Sequence, residues 1–212
     1  VVVVTDAFDN LVTTPAVDIT TEAFSDNTCA TPAVGTMGIT TNPVQTTAGV
    51  ATIAGLSFTK AGPIYFRASS APLTNKCSTL VTITHDVASA LAFDQLPSSY
   101  IKYNVVFPTQ PQISIRDQFA NLVTTGPDAT ATITLSLQTG TGTLNGTAFM
   151  DAVGGIANFV GKGLNISQWG TKVLRASKAS TIPMSGTGII TADSASFEVA
   201  AITCNTGDLT SS

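Results

Sequence analysis

Residues 6–14 read Asp6-Ala7-Phe8-Asp9-Asn10-Leu11-Val12-Thr13-Thr14, and residues 117–125 read Asp117-Gln118-Phe119-Ala120-Asn121-Leu122-Val123-Thr124-Thr125. Seven of the nine positions are identical at an offset of 111 residues. The match continues downstream. Ala48-Gly49-Val50-Ala51 corresponds to Gly154-Gly155-Ile156-Ala157, and Gly62 through Arg67-Ala68-Ser69 corresponds to Gly170 through Arg175-Ala176-Ser177. The Gly49–Gly62 and Gly155–Gly170 intervals differ by two residues, as an insertion in a loop produces. One unit therefore occurs twice, and a tandem array explains it.

Each unit reads as strand. Ile64, Phe66 and Ala68 alternate with their neighbours, as do Lys172, Leu174 and Ala176, Ile113 with Ile115, and Ala131, Ile133, Leu135 and Leu137. A period of two buries one face and wets the other. Turn residues at Thr14-Pro15, Gly35, Gly49, Gly62-Pro63, Gly126-Pro127, Gly155, Gly170 and Gly186 punctuate the chain. Short strands between regular turns predict β-sandwiches rather than βαβ units. The first copy should hold strands near 1–6, 16–21, 36–41, 49–54, 63–69 and 78–84. The second should hold them near 102–107, 112–117, 129–137, 143–150, 155–160, 171–177 and 189–199.

The predicted domains are 1–87 and 88–201, with 202–212 as a tail or the start of a following module. Residues Leu91 to Pro111 have no counterpart ahead of Val1, so the first sandwich is expected to lack its N-terminal strand. Truncation of a longer array is the favoured reason, and strand donation by another chain is the alternative.

Composition narrows the function. Of 212 residues 43% are hydrophobic and 10% charged, with a net charge of −4. The 35 threonines suit the wet face of a strand, which then stays soluble through hydroxyls rather than ions. Without clustered positive charge, nucleic acid and anionic membrane surfaces are excluded as main partners. No run of about 20 apolar residues predicts membrane insertion, and VVVVTD does not read as a signal peptide. A single histidine, His85, excludes sites built on several. With no G-x-S-x-G and that histidine in the predicted linker, a Ser-His-Asp triad has no support. Gly140-Thr141-Gly142 and Gly161-Lys162-Gly163 lack phosphate-loop spacing and read as turns.

The short motifs resemble the bacterial Ig-like repeats of invasin- and intimin-type surface proteins. Such repeats show a strand ending in Asp, a DxxGN-like turn, a G-[VI]-A strand and a strand opening with Gly and ending near Ala. Asp6–Asn10, Gly49-Val50-Ala51 and Gly62–Ala68 look like this pattern, as do Asp117–Asn121, Gly155-Ile156-Ala157 and Gly170–Ala176. The glycine before Asn in the turn is replaced by Asp9 and Ala120. The resemblance implies an all-β pair of tandem immunoglobulin-like sandwiches, an extracellular spacer or adhesive module without catalytic residues. Its expected partners are adjacent modules of the same or a neighbouring chain, and a host or cell-surface glycan or protein. A glycan- or receptor-binding fragment and a filament subunit assembled by strand donation are the alternatives.

Several residues remain as candidates. Asp6, Asp9 and Asn10, with Asp117 and Asn121, carry hard oxygens of the kind calcium takes. The competing role is to cap a tight turn, and the single carboxylate of the second copy's turn is too few for a tight site. No cofactor is expected, calcium here being the one candidate. Cys29 and Cys77 lie in polar flanks, NTCATP and TNKCST, which favour a disulfide over two buried thiols. Cys204 is left unpaired or paired between chains. Trp169, in a turn where the first copy has Ala61, either contacts a ligand or covers the end of the sandwich. Asn145 and Asn165 match the N-glycosylation pattern, which a Thr-rich chain meets by chance.

Overall fold

A computed structural model describes residues 1–179 and 189–201. The chain folds as two compact units, Val1–His85 and the remainder from Asp86. The architecture is all-β; the only helical turn among the described residues is the short 3-10 segment η1 (Pro127–Thr130).

The first unit contains β1 (Val2–Val3), β2 (Asp18–Phe24), β3 (Met37–Gly38), β4 (Val44–Gln45), β5 (Val50–Ala51), β6 (Ser57–Phe58), β7 (Gly62–Ser69), β8 (Lys76–Cys77) and β9 (Val81–Ile83). One sheet runs β4-β2-β7-β8, with β9 also on β7; β1 pairs with β5, and β3 with β6. Strand β2 shows how the sequence drives this. Ile19, Thr21 and Phe24 are buried while Asp18 and Glu22 face water. The Arg67 guanidinium covers the Phe24 ring at 4.4 Å and ion-pairs with Glu22 at 2.6 Å.

The second unit contains β10 (Ala88–Gln95), β11 (Tyr100–Lys102), β12 (Gln112–Asp117), β13 (Thr132–Thr139), β14 (Leu144–Asn145), β15 (Phe149–Asp151), β16 (Ile156–Asn158), β17 (Asn165–Ile166), β18 (Gly170–Ala179), β19 (Ile189–Asp193) and β20 (Phe197–Ala200). One sheet is β10-β12-β16. A second is β11-β20-β18-β13-β15, with β19 on the far half of β18, and β14 pairs with β17 apart from both. Taking β10, β12 and β16 as strands A, B and E, and β13, β18 and β20 as C, F and G, the partners are those of an immunoglobulin-type sandwich. Strand β15 extends the second sheet beside β13. Leu91, Ile113, Ile115 and Ala157 from one sheet meet Ile133, Leu135, Leu174, Ala176, Phe197 and Val199 from the other in one core.

The two units repeat one another atom by atom at the turn. Val4 N–H donates to the Gly49 carbonyl at 2.9 Å and Ile115 N–H to the Gly155 carbonyl at 2.8 Å. Gly49 and Gly155 both adopt a φ of 81°. A Cβ there would sit 2.4 Å from the Val12 oxygen or 2.2 Å from the Val123 oxygen, so the backbone crossing admits only glycine.

Several expectations change. The strands expected near 143–150 and 189–199 are each two, Leu144–Asn145 with Phe149–Asp151 and Ile189–Asp193 with Phe197–Ala200. Ala88–Gln95 is a strand that no apolar alternation announced, because its short alanines carry too little contrast between faces. The strand near 102–107 is instead Tyr100–Lys102, ended by a turn in which Asn104 has a φ of 58°. The strand near 129–137 begins at Thr132, since Pro127 and Asp128 set the 3-10 turn first. The Gly186 turn and the 202–212 tail, with Cys204, lie outside the described residues.

Candidate functional site

The repeated Asp–Asn turn is the most strongly patterned feature of the sequence, and the structure shows what its polar atoms do. In the first unit Asp6 Oδ1 accepts the backbone N–H groups of Phe8 and Asn10, both at 2.9 Å, and Oδ2 accepts Asn10 Nδ2 at 3.1 Å. In the second, Asp117 Oδ1 accepts Phe119 N–H at 2.8 Å and Asn121 N–H at 2.9 Å. Its Oδ2 accepts Asn121 Nδ2 and Asp86 N–H, each at 2.9 Å. The asparagines turn their NH₂ groups, not their oxygens, toward the carboxylates, which is the arrangement of a braced turn rather than of a cation cage. Asp9 is exposed, and among the described residues no cluster of three or more His, Cys, Asp or Glu assembles.

The same turn differs in burial. Asp6 and Asn10 are exposed, whereas Asp117 is 2% and Asn121 4% exposed. The Asn10 side chain, then the backbone N–H groups of Asn10 and Phe8, hold the Asp6 carboxyl below its ordinary range. For Asp117 burial pushes the carboxyl upward, but the Asp86, Asn121 and Phe119 donors together outweigh it and leave it lowered. Asp86 is tied to this turn through its backbone N–H, and its Oδ2 also accepts Gln118 Nε2 at 2.7 Å.

The residue that replaces the turn glycine is left-handed in both units: Asp9 has a φ of 64° and Ala120 one of 62°. Alanine is strained there by roughly 1–2 kcal/mol. Glycine loses about 0.5–1 kcal/mol more backbone entropy on folding. Ala120→Gly is therefore expected to raise stability by about 0.5 kcal/mol, seen as a higher urea midpoint for the second unit. An unchanged or lower midpoint would show that the strain is relieved elsewhere.

Cys29, in the loop after β2, is joined to Cys77 on β8, with a Cα–Cα distance of 6.0 Å. Trp169 precedes β18 and is 67% exposed. Its carbonyl is fixed by Lys172 Nζ at 3.0 Å, and the same ammonium donates to the Thr141 carbonyl at 2.7 Å. Tyr100, which no local sequence pattern marks, is 71% exposed on β11. Tyr100 lies opposite Glu198, and Glu198 opposite Thr171, so all three stand on the outer face of this sheet. Thr171 Oγ1 donates to Glu198 Oε1. The signal for Tyr100 was hidden because β11 pairs in parallel with a strand almost 100 residues later.

No protein family matches the chain, and no curated protein matches it. Among solved structures the chain is similar to one described as the D0-D1 domain of Intimin. The likeness covers 86% of this chain and 80% of that chain, at 14% identity and a TM-score of 0.32.

Proposed function

We propose that the chain is a non-enzymatic structural module, a tandem pair of Ig-like spacers from the extracellular part of a bacterial cell-surface protein. The observation that carries this reading is the duplication itself: one sandwich unit occurs twice, with the same carboxylate-braced turn and the same glycine crossing. Repetition of a whole fold extends reach, whereas a catalytic site needs one convergent cluster. A disulfide in the first unit and a surface wetted by threonine hydroxyls fit an oxidising, extracellular setting.

Stretching single chains between two handles tests it. Two discrete unfolding events are expected. Reduction should lengthen the extension of the first unit, because the 48-residue separation locked by the disulfide is freed. At about 3.6 Å per residue that adds roughly 170 Å. Extension without discrete events, or a turnover activity lost on a single side-chain change, would remove the spacer reading.

Trp169 and Tyr100 favour a second reading, a glycan- or receptor-binding fragment. Two exposed aromatics at one sheet can stack on sugar rings or anchor a protein partner. A glycan array is the check: retention on particular glycans that Trp169→Ala abolishes supports it, and signal unaffected by Trp169→Ala and Tyr100→Ala ends it.

A further inference from the structure

The second unit has a polar and aromatic face that the first unit lacks at the same place in the fold. Strands β7 and β9 pair as β18 and β20 do. Gly62 opposes Ile83 and Pro63 opposes Thr82, just as Gly170 opposes Val199 and Thr171 opposes Glu198. Ala61, Pro63, Ile64 and Thr82 therefore stand where the second unit has Trp169, Thr171, Lys172 and Glu198. The first unit builds this strand pair from none of those four, so the pairing itself does not call for them.

Burial shows which way the four point. Ile101, Phe197 and Val199 are buried, so alternation turns Tyr100, Lys102, Glu198 and Ala200 outward. Lys172 is buried, which sets Thr171, and Trp169 two residues before it, on that same outer side. Tyr100, Glu198 and Thr171 form one row across β11, β20 and β18, and Lys102 pairs with Ala200 two residues further on. The same register continued by one residue sets Trp169 beside Ala200. Tyr100 and Trp169 thus flank the face two strands and two residues apart, about 12 Å between their Cα atoms. The small Ala200 and the Glu198 carboxylate lie between them.

The Trp169 end of the face rests on a buried cation. The Lys172 ammonium donates to the Trp169 and Thr141 carbonyls, and neither acceptor is a carboxylate. Thr143 N–H donates to Ser167 Oγ at 2.9 Å, and a Cβ on Gly142 would lie 3.0 Å from Gln168. The loop at 140–143 therefore clasps the chain that leads into Trp169. Burying an ammonium is costly, and Ile64 shows that the fold accepts isoleucine at this position. What the ammonium adds is an exposed indole held in place before any ligand arrives.

We propose that this face is a carbohydrate platform for an extended chain of neutral sugars. Trp169 and Tyr100 stack on the C–H faces of two rings. Glu198 Oε1 accepts Thr171 Oγ1, and its Oε2 accepts a sugar hydroxyl between the two aromatics. Lys172 is a positioning residue, acting through the Trp169 carbonyl. The charge of Glu198 at the middle of the face disfavours a protein partner, because the cores of protein interfaces are depleted of charge. Glu198 and Lys102 give the face no net charge, so it has no surplus to attract an anionic sugar. This inference rests on the second reading above and narrows it to one ligand class and one set of side chains.

Trp169 is the single tryptophan of the chain, so its fluorescence reports on this face alone. Titration of the whole chain with cellohexaose, chitohexaose and xylohexaose is expected to give a saturable emission change with at least one of them, and none with oligogalacturonate. Calorimetry should show that binding weakened about tenfold or more by Tyr100→Ala and by Glu198→Gln. Lys172→Ile should weaken binding and speed the anisotropy decay of Trp169, whereas the core change Leu174→Ala should do neither. No saturable change with any of the three sugars, tighter binding of oligogalacturonate, or full affinity in Tyr100→Ala and Glu198→Gln would each overturn the platform. Unchanged affinity and anisotropy in Lys172→Ile would remove its positioning role. Array retention that needs Trp169 but not Tyr100 or Glu198 overturns the platform and leaves the binding reading standing, whereas an array that retains nothing ends that reading itself.

Discussion

Removing the Cys29–Cys77 disulfide, as the double variant Cys29→Ala/Cys77→Ala, is expected to cost the first unit about 4 kcal/mol, as loop-closure entropy predicts for the separation involved. That is a large share of the roughly 5–15 kcal/mol that holds a small domain together. The first unit is the more vulnerable, because its buried apolar side chains among the described residues are few: Ile19, Phe24, Ala51 and Ile64 beside Cys29 itself. The second unit buries eighteen in one cluster, including Phe107, Phe159 and Leu164. The disulfide also fixes the loop whose Cys29 carbonyl lies 3.5 Å from Arg67 Nη1, next to the Phe24 cation–π contact. Denaturant unfolding of the variant should show the first unit melting at a much lower midpoint while the second keeps its own. Coincident, unshifted transitions would show that packing and not the cross-link holds the first unit.

Asp117→Ala is expected to destabilise the second unit by about 3–5 kcal/mol, because four donors lose an ionised acceptor in a buried site. Asp6→Ala removes the same kind of turn brace at an exposed site, where water replaces the carboxylate, and its effect should be much smaller. Acid gives a matching result. The Asp117 carboxyl is lowered from its ordinary 3.8, the value it takes in the unfolded chain. Its contribution is therefore complete above that pH and is lost as the pH falls through the lower, folded value. The unfolding free energy of the second unit should thus decline below about pH 4, and that part of the decline should vanish in Asp117→Ala. Equal losses for Asp6→Ala and Asp117→Ala would show that burial does not set the strength of this brace.

The parts of the fold that were legible are those where side-chain contrast is strong. The Asp-x-x-x-Asn turn, the Gly-β-branched-Ala step and the alternation of Ile64, Phe66 and Ala68 placed β1, β5 and β7, and their repeats placed β12, β16 and β18. What escaped was set by distant partners. Strand β10 is alanine-rich and becomes readable only once β12 lies beside it. Strand β11 pairs in parallel with β20, which no local pattern encodes. The cysteines' polar flanks located the disulfide correctly. The role of the acidic turn depended on which way two asparagine side chains point, and composition does not contain that information. Tyr100 is unmarked by local pattern for the same reason as its strand.

Lys172 has a consequence for how a duplicated chain avoids confusing its own halves. Its ammonium is buried, with the whole residue 1% exposed, and it is held by the Thr141 and Trp169 carbonyls. In the other copy Ile64 stands at this place, itself 2% exposed. Neighbouring repeats of like sequence are prone to exchange strands as they emerge from the ribosome. Here an exchanged β18 would carry a charge into the buried place of Ile64, and an exchanged β7 would leave the Thr141 and Trp169 carbonyls without the Lys172 donor. Burying an ammonium without an acceptor is costly, so this one divergent position favours each strand in its own half.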